Sequence, residues 1–294
     1  MVFLMKIPFG EINLERIEII KRAYEIEGKM TLRRCFYVLY GKGKIKNSKS
    51  AYQSLSQVFL KARELGYLDW NIIEDRHRQI LRRTTYSDFD TAFNTLCEYY
   101  RKNSMLLQDN YVEVWVEKDA VAGIVYDLTY YLDVLLLVGK GFVSGTHLKK
   151  ASDRFKEIDK PITILYISDY DCEGEFFKRK AEEKLKEYGC GNVSIKKILL
   201  TKPQIKKYKL LINFVEFKKE QLRKNYVQEH IKNNKDLGNS GKIQVELDAL
   251  SNIELKEILQ KELDLLIDNK IVELSDSESL REVEKWKKKN LKRK

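Results

Sequence analysis

Two short apolar runs that end in acids constrain this chain more than any other feature. Residues 111–120, YVEVWVEKDA, and 162–174, ITILYISDYDCEG, each read as a β-strand that stops at carboxylates: Glu117 in the first, Asp169 and Asp171 in the second. Near-continuous apolar strands belong to parallel sheets covered on both faces, and groups at their carboxyl ends face the crevice where ligands bind. Asp169 and Asp171 are two apart, so both carboxylates can point the same way, and Glu117 can reach the same crevice from a neighbouring strand. A ligand set of oxygens, with no His or Cys nearby, suits a hard cation; Mg²⁺ keeps several waters and is held by a few carboxylates plus phosphate oxygens. An Asp-x-Asp pair alone is common in solvated loops. The acid at a second strand end is what favours a metal site.

From Tyr111 onward, strand and helix periods alternate. VEVWVE leads to a helix from Asp119 to about Tyr131, then DVLLLVGKG, a helix from Thr146 to about Lys156, ITILYIS, a helix over 173–187, and NVSIKKILL. Short connections of this kind imply a right-handed parallel sheet. Beyond 201 the pattern is less regular: a basic helical stretch to about Lys235, a Gly/Asn/Ser loop at 237–241, and the run KIQVELDAL. Ser251 and Glu254 then form a capping box for a helix through Leu255, Ile258, Leu259 and Leu266. Glu246 and Asp248 in VELDAL either join the acidic site or face solvent, the second being the favoured expectation, and the basic tail from Lys285 to Lys294 is expected to fray.

Ahead of these strands the pattern is helical. Residues 11–27 place Ile17, Ile20 and Tyr24 at helical spacing, with Gly28 as a stop. Thr31 can cap a second helix whose Leu32, Cys35, Phe36 and Leu39 form one buried stripe. Tyr37 falls almost opposite that stripe, one turn from Arg33, and is expected to point outward. A basic loop, GKGKIKNSKS, precedes a third helix with Tyr52, Leu55, Phe59 and Ala62 inward and Gly66 at its end; YLDWNII reads as a strand and 87–103 as a further amphipathic helix. Helix, helix, loop, helix and a short strand pair form the outline of a winged-helix domain, a helix-turn-helix variant that binds duplex DNA.

Composition narrows the function classes. At 294 residues, two domains are a better expectation than one. With 55 basic against 44 acidic residues the net charge is +11, which favours a polyanion such as DNA or RNA. No run approaches the ~18 apolar residues a bilayer span needs, so no membrane association and an intracellular location are expected. Cys35, Cys97, Cys172 and Cys190 lie far apart without CxxC spacing, and His77, His147 and His230 do not cluster with them. Neither a zinc site nor a disulfide framework is expected.

A tyrosine phenol, with a pKa near ~10, is a poor nucleophile until something stabilises the phenolate. Arg33 beside Tyr37 would favour the anion and hold a phosphate.

The block TLRRCFYVLY, followed by SAYQSLSQVFLKARELGYLDW, resembles the winged-helix domain of the type IIB DNA topoisomerase (topoisomerase VI) A subunit and its relative, the meiotic double-strand-break transesterase. VEVWVEKDAV, LLLVGKG and ISDYDCEG resemble the Toprim domain of that family, and the likeness spans roughly residues 15–190. It implies an α/β chain with a winged-helix domain over 1–108, a Toprim domain over 109–200 and a C-terminal extension over 201–294 that completes it. It implies further that Tyr37, the second aromatic of Phe36-Tyr37, is the nucleophile, assisted by Arg33 and joined to a 5′ phosphate. Mg²⁺ would sit on Glu117, Asp169 and Asp171, and Arg34, Lys118 and Lys140 are the candidate DNA contacts. The implied partners are double-stranded DNA, a second copy in a homodimer whose active sites take tyrosine and metal from different protomers, and a separate ATPase B-type subunit. Some residues depart from the family pattern: Cys172 stands where a proline follows the second Asp, Thr146-His147 where a Thr-Arg pair follows the GKG strand end, while Gly174 is kept. The chain carries no ATPase motif and is most similar to the compact, stand-alone A-type proteins, so ATP-coupled strand passage is not implied. Two other readings remain at this stage, a Toprim-type hydrolytic nuclease and a DNA-binding protein without cleavage.

Overall fold

The computed structural model of the chain describes residues 9–74, 83–139 and 145–290. Its elements run α1 (Glu11–Glu27), β1 (Met30–Thr31), α2 (Leu32–Gly41), α3 (Lys49–Glu64), β2 (Ile73–Glu74), α4 (Phe89–Tyr99), β3 (Tyr111–Val116), α5 (Ala122–Tyr130), β4 (Leu135–Val138), α6 (Gly145–Phe155), β5 (Ile162–Ile167), α7 (Cys172–Glu187), β6 (Val193–Leu199), α8 (Lys202–Lys207), β7 (Asn213–Phe214), α9 (Lys219–Leu222), α10 (Asn225–Asn233), β8 (Ile243–Gln244), α11 (Asn252–Asp264) and α12 (Asn269–Asn290). The chain is mixed α/β. Among the described residues, no helix is long and apolar enough to cross a membrane.

The apolar runs form a four-stranded parallel sheet in the order β4-β3-β5-β6. Every residue of β3 is buried, as the unbroken hydrophobic pattern requires of a strand covered on both faces. Trp115, Ile164, Leu165 and Ile167 pack with Val125 of α5, Phe155 of α6, Phe177 and Ala181 of α7 and Leu259 of α11 in one core. Full burial of each such side chain contributes about 1.5–3 kcal/mol. The sheet order reverses between β3 and β5, because β3 is followed by β4 on one side and β5 is laid on the other. Open α/β sheets bind ligands at the carboxyl ends of the strands flanking such a reversal. Val116 pairs with Ile167, and the Glu117 N–H donates to the Ile167 carbonyl at 2.9 Å, so both acid-bearing ends reach the same edge of the sheet.

A second, smaller core lies ahead of the sheet. Ile17 and Ile20 of α1, Cys35, Phe36 and Leu39 of α2, and Leu55, Phe59 and Ala62 of α3 meet there, on the stripes that helical spacing predicts. Thr31 caps α2 by accepting the Arg34 N–H at 3.1 Å. The short strands β1 and β2 pair in parallel. Ala249 packs against both cores, which makes residues 246–250 the joint between them.

The C-terminal region differs from the sequence reading. Ser251 and Glu254 do form the capping box of α11, but α12 runs on to Asn290, through residues expected to fray. It is held by the segment before β3: the Lys102 N–H donates to Ser279 Oγ at 2.9 Å and the Tyr100 hydroxyl to Glu282 at 2.7 Å. Phe93 of α4 lies 4.7 Å, ring to ring, from Trp286.

Candidate metal and tyrosine site

The acids at the switch point are built by local geometry. Asp171 is the N-cap of α7: its Oδ1 accepts the Gly174 N–H at 2.8 Å, while Oδ2 accepts from Gln244 Nε2 at 3.3 Å. Gly174 leaves no room for a side chain, since a Cβ there would stand 2.9 Å from Ser168 Oγ and 3.0 Å from the Asp169 carbonyl. Between the two aspartates, Tyr170 makes an antiparallel bridge with Val245, exchanging two hydrogen bonds of 2.9 Å. That bridge lays residues 244–248 along the Asp-x-Asp segment. Asp169 Oδ1 thereby accepts the Leu247 N–H at 2.8 Å.

Burial and like charge set the protonation of these groups. Glu117 is pushed up to about 7, first by burial and then by the negative charges of Asp171 and Asp169. Its nearest polar contact is long, the Tyr166 hydroxyl at 3.4 Å from Oε2. Asp169 is also raised, by burial, although Lys118 opposes the shift.

Two cations and three carboxylates fill the space between this crevice and α2. Lys118 Nζ lies 2.6 Å from Asp169 Oδ2, 3.2 Å from Glu246 Oε2 and 3.8 Å from Asp248 Oδ2. Arg33 donates to the same Glu246 Oε2 through Nε at 2.8 Å and through Nη2, and stands 3.7 Å from Asp248 Oδ2. The Tyr37 phenol lies close enough to Glu246 and Asn213 to feel both, with the Arg33 guanidinium 5.9 Å from its ring centre. Burial would lift the Glu246 carboxyl, but the Arg33 hydrogen bond and the Lys118 charge hold it below the usual range. Tyr37 moves the other way, raised by burial and by the Glu246 charge. Asp248 Oδ2 is buried within ionic distance of both cations yet has no hydrogen bond, and burial raises its carboxyl.

Several expectations need correcting. Tyr37 does not point outward: it is 4% exposed, edge-on to Phe36 and Tyr40, with the Arg33 guanidinium 5.9 Å from its ring centre. Tyr37 joins the same small core as Phe36 and Leu39, and Leu247–Ala249 packs on α2 beside it. Glu246 and Asp248 join the acidic site instead of facing solvent, because the Tyr170–Val245 bridge carries them there. Arg34 is a tie rather than an open surface group, bound to Glu27 at 2.7 and 2.9 Å and to the Asp248 carbonyl at 3.0 Å. Lys118 sits inside the network, and Lys140 lies outside the described residues.

Asn213 and Lys197 are further neighbours that the sequence did not single out. Lys197 Nζ donates to the Asp169 carbonyl at 3.0 Å and to Glu175 at 2.8 Å. For Glu246 a signal did exist, since KIQVE is a third apolar run that ends in an acid.

Among the described residues, no group of three His, Cys, Asp or Glu side chains forms a ready cation cage. The donor set nonetheless fits Mg²⁺ chemically. Glu117, Asp169 and Asp171 offer oxygen alone, and a cation, the Lys118 ammonium, already lies 2.6 Å from Asp169, with the orphaned buried Oδ2 of Asp248 beyond it. No protein-family model matches the chain, and no curated protein matches it in sequence.

Proposed function

We propose that the chain is a DNA-cleaving and rejoining transesterase, with a winged-helix unit carrying Tyr37 and a Toprim-like sheet carrying the metal ligands, as in the topoisomerase VI A subunit it resembles. One observation supports the reading above all: Arg33, whose guanidinium lies 5.9 Å from the Tyr37 ring, and Asp169 end on a single ion network joined through Glu246 and Lys118. A phosphate reaching that network would meet a phenol on one side and strand-end carboxylates on the other.

In the proposed reaction Tyr37 Oη attacks the phosphorus of a DNA phosphodiester and the bond to the 3′ oxygen breaks. The 5′ phosphate becomes a tyrosyl ester and the 3′ end leaves as a hydroxyl. One phosphate ester replaces another, so the reverse attack rejoins the strand. Arg33 and Lys118, both on Glu246, would hold the phosphate oxygens, and Glu246 would take the phenolic proton that has to leave. Glu117, Asp169 and Asp171 would hold Mg²⁺, which when bound neutralises charge on the phosphate and on the departing oxygen. Duplex DNA is the proposed substrate, the net charge of +11 supporting a polyanion. A homodimer and a separate B-type ATPase are the partners this reading carries with it.

The burial of Tyr37 favours one second reading, a hydrolytic nuclease in which water attacks instead. The deciding experiment traps protein on labelled duplex with detergent in the presence of Mg²⁺. The transesterase gives a covalent adduct through the 5′ end, abolished in Tyr37→Phe while DNA binding is kept. Cleaved DNA with free ends that persists in Tyr37→Phe selects the nuclease. Salt-dependent binding with no cleavage under any metal leaves a DNA-binding protein.

A further inference from the structure

Both cations of the site reach Glu246. Its Oε2 accepts from Arg33 Nε at 2.8 Å, from Arg33 Nη2 and from Lys118 Nζ at 3.2 Å, and the Tyr37 ring lies 5.9 Å from the same guanidinium. Its side chain is only 13% exposed. Two residues on, Asp248 Oδ2 lies near the same two cations and, among the described residues, receives no hydrogen bond. Arg33 is engaged by Glu246 and Lys118 spans Glu246 and Asp169. A guanidinium and an ammonium converging on one oxyanion form a donor set that proteins use for phosphate oxygens.

We propose that Arg33, Lys118 and Tyr37 form a pocket for a single DNA phosphodiester, and that the Glu246 carboxylate occupies it as an internal stand-in until DNA displaces it. The proposal rests on the reading of Tyr37 as nucleophile and adds its regulation. In the closed arrangement Arg33 is engaged by Glu246 and unable to serve a phosphate. The phenol sits against a negative charge that disfavours its phenolate. Lys118 spans Glu246 and Asp169, filling the cation position among the acids. A phosphodiester that takes over the Arg33 and Lys118 contacts turns both cations from the internal carboxylate to the substrate. The exchange swaps one monoanion for another and requires the Glu246 side chain to rotate, while the Tyr170–Val245 bridge that fixes the backbone beside it can stay. The pocket thus keeps Tyr37 inactive in the absence of DNA and makes the two halves of the site respond to one ligand.

The test compares wild type with Glu246→Gln, which keeps the shape and removes the charge. Anisotropy of a short fluorescein-labelled duplex, measured without Mg²⁺, is expected to report binding tighter by about fivefold or more, because a closed state that competes with the phosphate has been removed. Adding Arg33→Gln to that variant is expected to cancel the gain. Unchanged or weaker binding by Glu246→Gln, with a wild-type melting temperature, overturns the proposal. Should that variant misfold, Glu246→Asp shortens the carboxylate and is expected to tighten binding by less, in the same direction; no change there overturns the proposal too. Adduct trapping in Mg²⁺ separates the two readings. Tightening with no adduct from any variant keeps the pocket and sinks the transesterase. An adduct from wild type without tightening keeps the transesterase and sinks the pocket. Loss of the adduct in Glu246→Gln at unchanged affinity makes Glu246 a ligand or proton acceptor in its own right, and the stand-in role falls.

Discussion

Glu113 and Glu117 belong to one stretch of chain, four residues apart, and meet opposite surroundings. Glu113 is fully buried and fully served: Arg154 donates through Nε at 2.8 Å and Nη2 at 2.9 Å, Trp115 Nε1 at 2.8 Å and the Tyr111 hydroxyl at 3.1 Å. Tyr111, Glu113 and Trp115 alternate along β3 and so share a face, which is how the strand itself supplies two of those donors. Glu117 stands one residue past the end of the same strand, with a single long contact to Tyr166 and two aspartates pressing on it. Of the two, Glu113 is surrounded by donors and serves the fold. Glu117 is pressed by other acids at the switch point, which suits the metal-ligand role proposed for it.

The sharpest way to break this contrast is Glu113→Ala. It strands a guanidinium and an indole N–H against a buried void, and unpairing a buried ion pair costs about 3–5 kcal/mol; the lower end applies because the Arg154 side chain is one-third open to water. Urea unfolding measures the loss. A cost below about 1 kcal/mol, the range of an exposed pair, would erase the distinction between the two glutamates.

Gly174→Ala comes next and tests how tightly the Asp-x-Asp segment is built. The new Cβ would meet Ser168 Oγ at 2.9 Å and the Asp169 carbonyl at 3.0 Å, so the first turn of α7 has to withdraw. Overpacking of this kind costs about 1–3 kcal/mol. The withdrawal also pulls the Gly174 N–H from the Asp171 carboxylate it caps. Thermal unfolding is expected to shift down, and Mg²⁺ affinity, followed by calorimetric titration, to weaken with it. Lower stability with undiminished Mg²⁺ affinity would remove Asp171 from the ligand set.

Much of this was legible in the residues. The strand ends at Glu117 and Asp169, the buried stripe of α2 and the capping box of Ser251 follow from local spacing, because each is decided by period, capping chemistry or apolar pattern within a few residues. Tyr37 was misread because a wheel reports which face a side chain takes and not what covers that face. The segment packed on α2, Leu247 to Ala249, lies some two hundred residues away and follows the Tyr170–Val245 bridge. The long helix α12 was missed for a similar reason: its hold on Lys102 and Tyr100 is tertiary, and its charged C-terminal half reads in isolation as a solvated tail.

The smallest expected effect is a slope rather than a loss. Glu117 titrates at about 7 in the folded chain against an ordinary 4.5, with burial as the first cause and the charges of Asp171 and Asp169 next. A folded-state pKa raised above the unfolded one means that the native state binds the proton more tightly. Its contribution to stability is therefore fully present below the unfolded value and is lost as pH rises through about 7. The melting temperature of the metal-free protein should carry a component that falls across this window, and Glu117→Gln should remove it. Saturating Mg²⁺ favours the ionised carboxylate, so it should flatten the wild-type profile, release a proton on binding within the same window, and leave the Glu117→Gln profile nearly unmoved. If the two proteins instead give parallel profiles with and without Mg²⁺, Glu117 is neither the strained acid nor a ligand. It would then belong with Glu113, as a second acid that serves the fold, and the metal would have to be sought among Asp169, Glu246 and Asp248.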